Sequence, residues 1–389
     1  MAEWKEDIIG SYIQLINGYA FKSKDFLDVE LNGALPVVKI KNVANGDVNL
    51  NNVQYHNFHS SLKKYLIEEN DVLIAMTGNH PQAKTQVVGD VSKYKLKDKA
   101  LLNQRVGKIV AESNTNLSFI YYFFKDEATH QYLASQSSGS ANQANISKDD
   151  ILNIPVLLPP LPEQEAIAEV LSSLDDKIDL LHRQNKTLES MAEALFRQWF
   201  VEEAQEDWEE VTLGEVVNIY DSKRIPLSSL EREKMKDGYL YPYYGAATIM
   251  DYVNEYIFDG EYILMGEDGT VETDEGYPVL QLPVGKFWVN NHAHVLEAKS
   301  PYSNFLIYIF LKSTNITNII TGAVQPKINQ EALKGIPFLK PSINIITSTV
   351  KNFESYWQKI KANQSQIRTL TQLRDTLLPK LMSGEVRVK

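Results

Sequence analysis

The stretch LPEQEAIAEVLSSLDDKIDLLHRQNKTLESMAEALFRQWF, from Leu161 to Phe200, constrains this chain more than any other. Read at alternating steps of four and three, it places Ile167, Leu171, Leu174, Ile178, Leu181, Asn185, Leu188, Ala192, Leu195 and Trp199 on one unbroken heptad seam, in which only Asn185 is clearly polar. At a rise of 1.5 Å per residue the segment is a helix roughly 60 Å long, more than one ordinary globular domain needs. A helix of that length in mid-chain reads as a spacer between separately folded parts.

The remaining length allows such parts. A chain of 389 residues, 43% hydrophobic and 23% charged, suits two or three folded domains rather than disorder. The absence of cysteine excludes disulfides, thiolate metal sites and cysteine nucleophiles. With no apolar run of membrane length and no basic, then apolar, leader at MAEWKEDIIG, the expectation is a cytoplasmic protein. A net charge of -11 argues against a nucleic-acid partner, but the charge is uneven. Lys+Arg against Asp+Glu is 16 and 17 in residues 1–158, 4 and 12 in 159–207, 11 and 18 in 208–340, and 8 and 3 in 341–389. The excess acid lies largely in the first long helix and the segment after it, while the last segment is net +5.

Residues 1–158 read as a mixed α/β domain. Its candidate strands are Leu35–Val43, Asp71–Met76, Gln86–Val91 and Gln104–Ala111, followed by one helix over Leu117–Gln136. A polar loop, SSGSANQANIS, follows, with Ser147 and Asp150 spaced to cap a short turn before IPVLLPP and the long helix of residues 159–207. A second domain spans 208–340, with strands at Tyr262–Met265 and Phe287–Val289 and a helix over Asn304–Ser313. Its polar loop is TGAVQPKINQ, and helix returns over Ser342–Met382, within residues 341–389.

This order of elements is a repeat. A shift of 182 places Gln143 on Gln325, Ile146 on Ile328, Ile154-Pro155 on Ile336-Pro337 and Leu188 on Leu370, while a shift of 204 places Trp4, Ile9 and Gly10 on Trp208, Leu213 and Gly214. The second long helix carries Phe353, Tyr356, Ile360, Asn363, Ile367, Leu370, Arg374, Leu377 and Leu381 on the equivalent seam. Opposite net charges favour pairing of the two helices. An antiparallel pair centred near residue 183 brings Asn185 opposite Asn363, a polar layer able to fix register. The expected fold class is α+β: two mixed α/β domains in pseudo-twofold repeat, joined by two long helices that form an antiparallel coiled coil.

A search for catalytic chemistry finds little. There is no Asn-Pro-Pro-aromatic or Asp-Pro-Pro-Tyr motif, no Gly-x-Gly nucleotide loop and no GxxxxGK[ST]. His292 and His294 alternate onto one strand face and could ligate a metal, but two histidines without a third ligand at suitable spacing are more often hydrogen-bonded structural residues. Glu267-Asp268-Gly269-Thr270 reads as a turn with glycine at positive φ. More informative are loops rich in groups able to read base edges and phosphates: Thr77, Asn79, His80, Gln82 and Lys84, then Asn103-Gln104-Arg105. The same holds for the loop before each long helix, with Gly139, Asn142 and Gln143 in the first and Gln325 and Lys327 in the second. Taken alone, each could be an ordinary polar surface loop.

At these residues the chain resembles the specificity subunits of type I restriction-modification systems. The resemblance rests on Trp4–Gly10 and Trp208–Gly214, LPVVKIKNV, LLNQRVGKI, YPYYGA, DGEYILMGEDGT, NNHAHVL, both Gly-to-Gln loops and IPVLLPPLPEQEAI, in that order and with the repeat. It implies a non-catalytic subunit with two target recognition domains, each reading one half of a split sequence in double-stranded DNA, and with antiparallel helices that set the distance between the halves. It also implies two methyltransferase subunits and, in the full complex, restriction subunits as partners. S-adenosylmethionine, ATP and Mg are then expected on those partners and none on this chain. No membrane role follows from it.

Two departures matter. The second helix opens as LKPSINIITSTV rather than in the PPLPEQ form, and the second domain is net -7, so its DNA contacts are expected to depend on a few residues: Lys223, Arg224 and Lys327, with Tyr243 and Tyr244 of YPYYGA. The outer face of the first helix, with Glu163, Glu165, Glu169, Asp175, Asp176 and Asp179, is expected to be free for a methyltransferase, or simply solvated. A coiled-coil interaction scaffold, or a decoy that binds methyltransferase without reading DNA, remains the alternative.

Overall fold

In a computed structural model, which describes residues 3–44, 46–79, 88–140, 143–322 and 324–388, the chain divides into two compact units. One contains Met1–Asp179 and Ile367–Lys389, the other Leu180–Gln366. Each therefore combines one globular part with a portion of both long helices. No helix of the described residues is long and apolar enough to cross a membrane.

The same strap closes both globular parts. In the first unit, Lys5–Ile8 pairs antiparallel with Pro155–Leu158, Lys5 opposite Leu158 and Ile8 opposite Pro155. In the second, Glu209–Thr212 pairs with Pro337–Lys340, Glu209 opposite Lys340 and Thr212 opposite Pro337. These are the two sequence shifts, 204 on one strand and 182 on the other, expressed as one register. The following turn is equivalent as well: the Ile9 N–H donates to the Ile154 carbonyl at 2.9 Å, and the Leu213 N–H to the Ile336 carbonyl at 2.8 Å. Gly10 and Gly214 fit here because the chain approaches closely. A Cβ on Gly10 would stand 2.7 Å from the Leu152 carbonyl oxygen, and one on Gly214 would stand 3.1 Å from Lys334.

Inside the strap, the first unit holds a six-stranded sheet that includes Ile13–Asn17, Val106–Ala111, Val72–Ala75 and Val91–Lys93, and a four-stranded sheet of Gln54–Asn57, Ala34–Val38, Ala100–Leu102 and Leu66–Ile67. The expected single helix is broken in two, Leu117–Lys125 and Glu127–Ser135. Asp126 leaves the helical region at ψ 129°, and its carboxylate accepts the Thr129 N–H, so it ends one helix and caps the next. The expected strand Leu35–Val43 stops at Val38, where a short helical turn, Ile40–Asn42, takes over. The expected strand Gln86–Val91 is observed at Val91–Lys93, with residues 86 and 87 outside the described residues. Ser147 and Asp150 form the expected reciprocal cap.

The second unit has two four-stranded sheets, one including Ile263–Gly266 and Ala293–Ala298, the other Tyr241–Tyr244 and Val284–Val289. Its helix Asn304–Lys312 buries Phe305, Leu306, Ile307, Ile309, Phe310 and Leu311.

The long helices span Leu161–Arg197, extended by a wide turn over Gln198–Glu202, and Ile343–Met382. They run antiparallel and are part of each core. In the first unit Ile167, Ala168 and Leu171 share a core with Leu378 and Leu381. In the second, Ala192 and Phe196 share one with Phe353, Trp357 and Ile360. Along the expected seam, Leu171, Ile178, Leu181, Phe353, Ile360 and Asn363 are buried, while Leu174, Asn185, Leu188, Leu195, Tyr356, Ile367, Leu370 and Leu377 are partly buried. Phe196, Trp357 and Leu378, off that seam, are also buried, because each helix packs against its globular part as well as its partner.

The acidic outer face is thus only half free, which corrects the expectation for Glu163, Asp175 and Asp179. Glu163 binds Arg387 and accepts the Trp4 indole N–H at 3.1 Å. Asp175 accepts from Arg374 and from the Tyr122 hydroxyl, each at 2.8 Å, and Asp179 binds Lys95. Glu165, Glu169 and Asp176 remain exposed. Nor does charge pair helix with helix throughout: Glu189 and Glu193 bind Lys312, and Lys361 binds Glu261, all within the second unit.

Candidate nucleic-acid interface

In both units the loop before the long helix is tied to the loop that follows a central strand. In the first, Ser138–Ser140 and Gln143–Asn145 form a hairpin whose second strand pairs with Thr77–Gly78. The Thr77 hydroxyl donates to the Asn145 side-chain oxygen at 2.7 Å, and the Ile146 N–H donates to the Met76 carbonyl at 3.1 Å. In the second, Lys327 bridges both Asp268 and Thr321, and the Ile328 N–H donates to the Glu267 carbonyl at 2.8 Å. Ile146 and Ile328 are equivalent under the repeat, so the junction is one device used twice.

The first junction brings several expected site residues together. Thr77 is buried and turned into it, Asn79 is half-buried, and Gly139 lies on the exposed hairpin at φ 131°. Arg105 is exposed, and its carbonyl accepts the Met76 N–H at 3.0 Å, which puts the Asn103–Arg105 turn at the same edge. Asn103 is half-buried, with its carbonyl so close to Gly18 that a Cβ there would lie 2.0 Å from the oxygen. His80, Gln82, Lys84 and Asn142 lie outside the described residues, as does the side chain of Gln143.

The second junction is built on charge. Arg224 donates to Glu267 and, at 2.8 Å, to the Ala293 carbonyl, with Asp221 3.6 Å away. Lys327 adds an ion pair to Glu267 at 3.3 Å. His294, buried, reaches Asp221 through Nδ1 at 2.6 Å and the Ile328 carbonyl through Nε2 at 2.9 Å. Burial alone would raise the Asp221 carboxyl; the His294 hydrogen bond and charge, the Val295 N–H and Arg224 outweigh it and hold the group below the ordinary carboxylate range. Asp221, Glu267 and His294 place ligand atoms within 4.8 Å of one another, a set that could hold a metal. Arg224 and Lys327 already supply the positive charge those carboxylates need, so the cluster is complete as a salt-bridged knot. His292 lies on the turn before the strand rather than on its face, and binds Asp268. Gly269 has the expected positive φ, 79°.

The other expected residues of the second domain are dispersed. The side chain of Arg224 is only 12% exposed and is spent on the knot. Lys223 is exposed, its ammonium 4.6 Å from the Tyr220 ring centroid. Gln325 is exposed, and Lys327 half-exposed. Tyr243 is buried beneath Arg232, with its hydroxyl accepting the Leu227 N–H at 2.9 Å, and Tyr244 packs partly buried on Phe287. Sequence reasoning passed over a basic groove in the first unit formed by Tyr19, Lys22, Lys24, His56 and His59. Its lysines stand beside Asp25, Asp28 and Glu30 in sequence, so no run of unbalanced basic charge marks it.

Comparison with known proteins agrees with this doubled architecture. The family model for the type I restriction modification DNA specificity domain matches residues 1–190 and again 205–372. The MjaIX specificity subunit of a type I restriction enzyme from Methanocaldococcus jannaschii is 24% identical over 95% of this chain and 93% of its own length. The MjaVIII specificity subunit from the same organism is 23% identical over 100% and 94%. A putative type I specificity subunit of Haemophilus influenzae, S.HindORF215P, is 35% identical over 40% of this chain and 38% of its own. Among solved structures, the S subunit of a type I restriction-modification system from M. genitalium superimposes with a TM-score of 0.58 at 21% identity, over 97% of this chain and 96% of that one. This chain belongs to the family of type I restriction-modification DNA specificity proteins.

Proposed function

We propose that this chain is the sequence-specific DNA-binding subunit of a type I restriction-modification complex, in which each globular domain reads one half of a bipartite site. The observation that carries this reading is the doubled device: one strap, one junction of loops and one long helix, each occurring twice with different loop chemistry. A repeated frame with divergent loops suits the reading of two unrelated half-sequences, since phosphate contacts position and loop side chains specify. The long helices, each anchored in a core, serve as the ruler between the halves.

Two methyltransferase subunits dock on the helical region, where Glu165, Glu169 and Asp176 remain outward, and restriction subunits join the full complex. Those partners carry S-adenosylmethionine, ATP and Mg, and the complex works in the cytoplasm, where the chromosome lies. The test is to co-express the chain with its methyltransferase and sequence the methylome. A split adenine-methylated motif is expected, and exchange of residues 1–158 for those of another such subunit changes one half only. A continuous motif, or a change in both halves, overturns the reading.

A further inference from the structure

Beside the Asn103–Arg105 turn lies a groove of about 450 Å³ that the sequence motifs do not touch. It is contiguous with that turn, because the Tyr19 N–H donates to the Leu102 carbonyl at 2.8 Å and Tyr19 bridges Asn103. Aromatic packing stiffens its floor. The Tyr19 ring lies 4.9 Å from that of Phe21 and 5.3 Å from that of Tyr65, and the Phe21 ring lies 4.7 Å from His56.

Lys22 and Lys24 stand exposed on its wall, and among the described residues their ammonium groups enter no ion pair. Among the described residues Asp25 is the one carboxylate that lines the groove. Lys63 and Lys64 are exposed on the next short helical turn, where Leu62 is buried. Lys22 and Lys24 are followed in sequence by Asp25, Asp28 and Glu30, but of these only Asp25 lines the groove, so its two ammonium groups and two histidines offer a polyanion a local site. The histidines do not make it a cation site: His56 Nδ1 is committed to the Asn57 carbonyl at 2.8 Å, His59 Nδ1 contacts the Ser61 hydroxyl at 2.6 Å, and two ammonium groups stand beside them.

We propose that this groove seats the DNA backbone in the first domain, with Lys22 and Lys24 on phosphates, while the adjoining Asn103–Arg105 turn faces the bases. This rests on the reading of the chain as a DNA specificity subunit and assigns its first domain a backbone clamp. Such contacts fix position without carrying sequence information, and each contributes a salt-dependent term of about 0.9 to the slope of log affinity against log salt.

The experiment is fluorescence anisotropy of the full chain in complex with its methyltransferase subunits on a labelled mixed-sequence duplex of about 40 base pairs, titrated across salt, because non-specific binding reports the phosphate term alone. The Lys22→Ala/Lys24→Ala double variant is expected to lower the slope by about 1.8 and low-salt affinity by about tenfold. The Lys22→Arg/Lys24→Arg variant keeps the parental slope. So does Lys97→Ala/Lys177→Ala, which removes the same charge from exposed positions elsewhere in the unit. A parent that binds steeply and a double alanine variant that binds identically overturn the groove assignment and leave the DNA-reading function standing. A parent with no salt-dependent binding overturns both.

Discussion

Asn363 donates from Nδ2 to the Oδ1 of Asn185 at 2.8 Å, in a layer of the paired helices where Asn363 is fully buried. Its own Oδ1 finds no partner among the described residues, so the layer costs stability that an apolar pair would not. The hydrogen bond matches the register drawn from the heptad seams, and a buried polar pair of this kind penalises every shifted alignment.

The expected outcome follows from that asymmetry. Asn363→Leu alone leaves Asn185 facing an apolar side chain and destabilises the chain by about 1–2 kcal/mol. The Asn185→Leu/Asn363→Leu double variant is neutral or more stable than the parent, since both polar groups are then gone. Urea denaturation of the three proteins checks this. Equal losses in the single and double variants would show that the two amides do not act as a pair.

Arg224 and Lys223 are neighbours in sequence and opposites in structure. Arg224→Ala strips the bridging cation from Glu267 and Asp221, leaving Glu267 to Lys327 and Asp221 to His294, a loss of about 2–3 kcal/mol. Lys223→Ala, at an exposed site, is expected to change stability by less than about 0.5 kcal/mol. Thermal melts of the two variants separate the roles, and a similar melting point for both would refute the knot as a structural anchor.

That contrast shows what was legible in the sequence. The repeat, the long helices and the Asn layer could be read because they rest on periodicity and on a constant shift, which backbone geometry preserves. Burial of Arg224 and Tyr243 could not, since both belong to polar, turn-rich segments and their partners, Glu267 and Arg232, become neighbours only through tertiary pairing. The break at Asp126 was hidden because an N-cap aspartate within two consecutive apolar-faced helices leaves the 3.6-residue pattern nearly in phase. The Lys22/Lys24 groove joins residues near 20 to residues near 56, and no local motif signals such a meeting.

Asp251 links stability to pH. Burial alone would raise its carboxyl, but Lys236, the Tyr252 N–H and Arg232 bring it down from 3.8 to about 2. Because the folded value lies below the unfolded one, the stabilisation is fully present above about pH 4 and is lost as pH falls through about 2. Asp251→Asn should therefore be less stable than the parent near pH 6, with the gap closing towards pH 2.5. Paired urea titrations at the two pH values test it, and a gap independent of pH would assign the loss to packing instead of charge.

If the long helices are the ruler, their length is the quantity to change. Inserting one heptad into each at matched points of the seam preserves the apolar phase and adds about 10 Å of helix. Two extra residues would instead turn the seam by about 200° and unsettle both cores. At about 3.4 Å per base pair, the heptad insertion should lengthen the unread spacer of the methylated motif by about three base pairs and leave both half-sequences as they were. Methylome sequencing of a strain that carries the insertion reads spacer and half-sites in one measurement. An unchanged spacer, or altered half-sequences with the spacer kept, would mean that the globular domains set the separation themselves and that the helices serve only to anchor them.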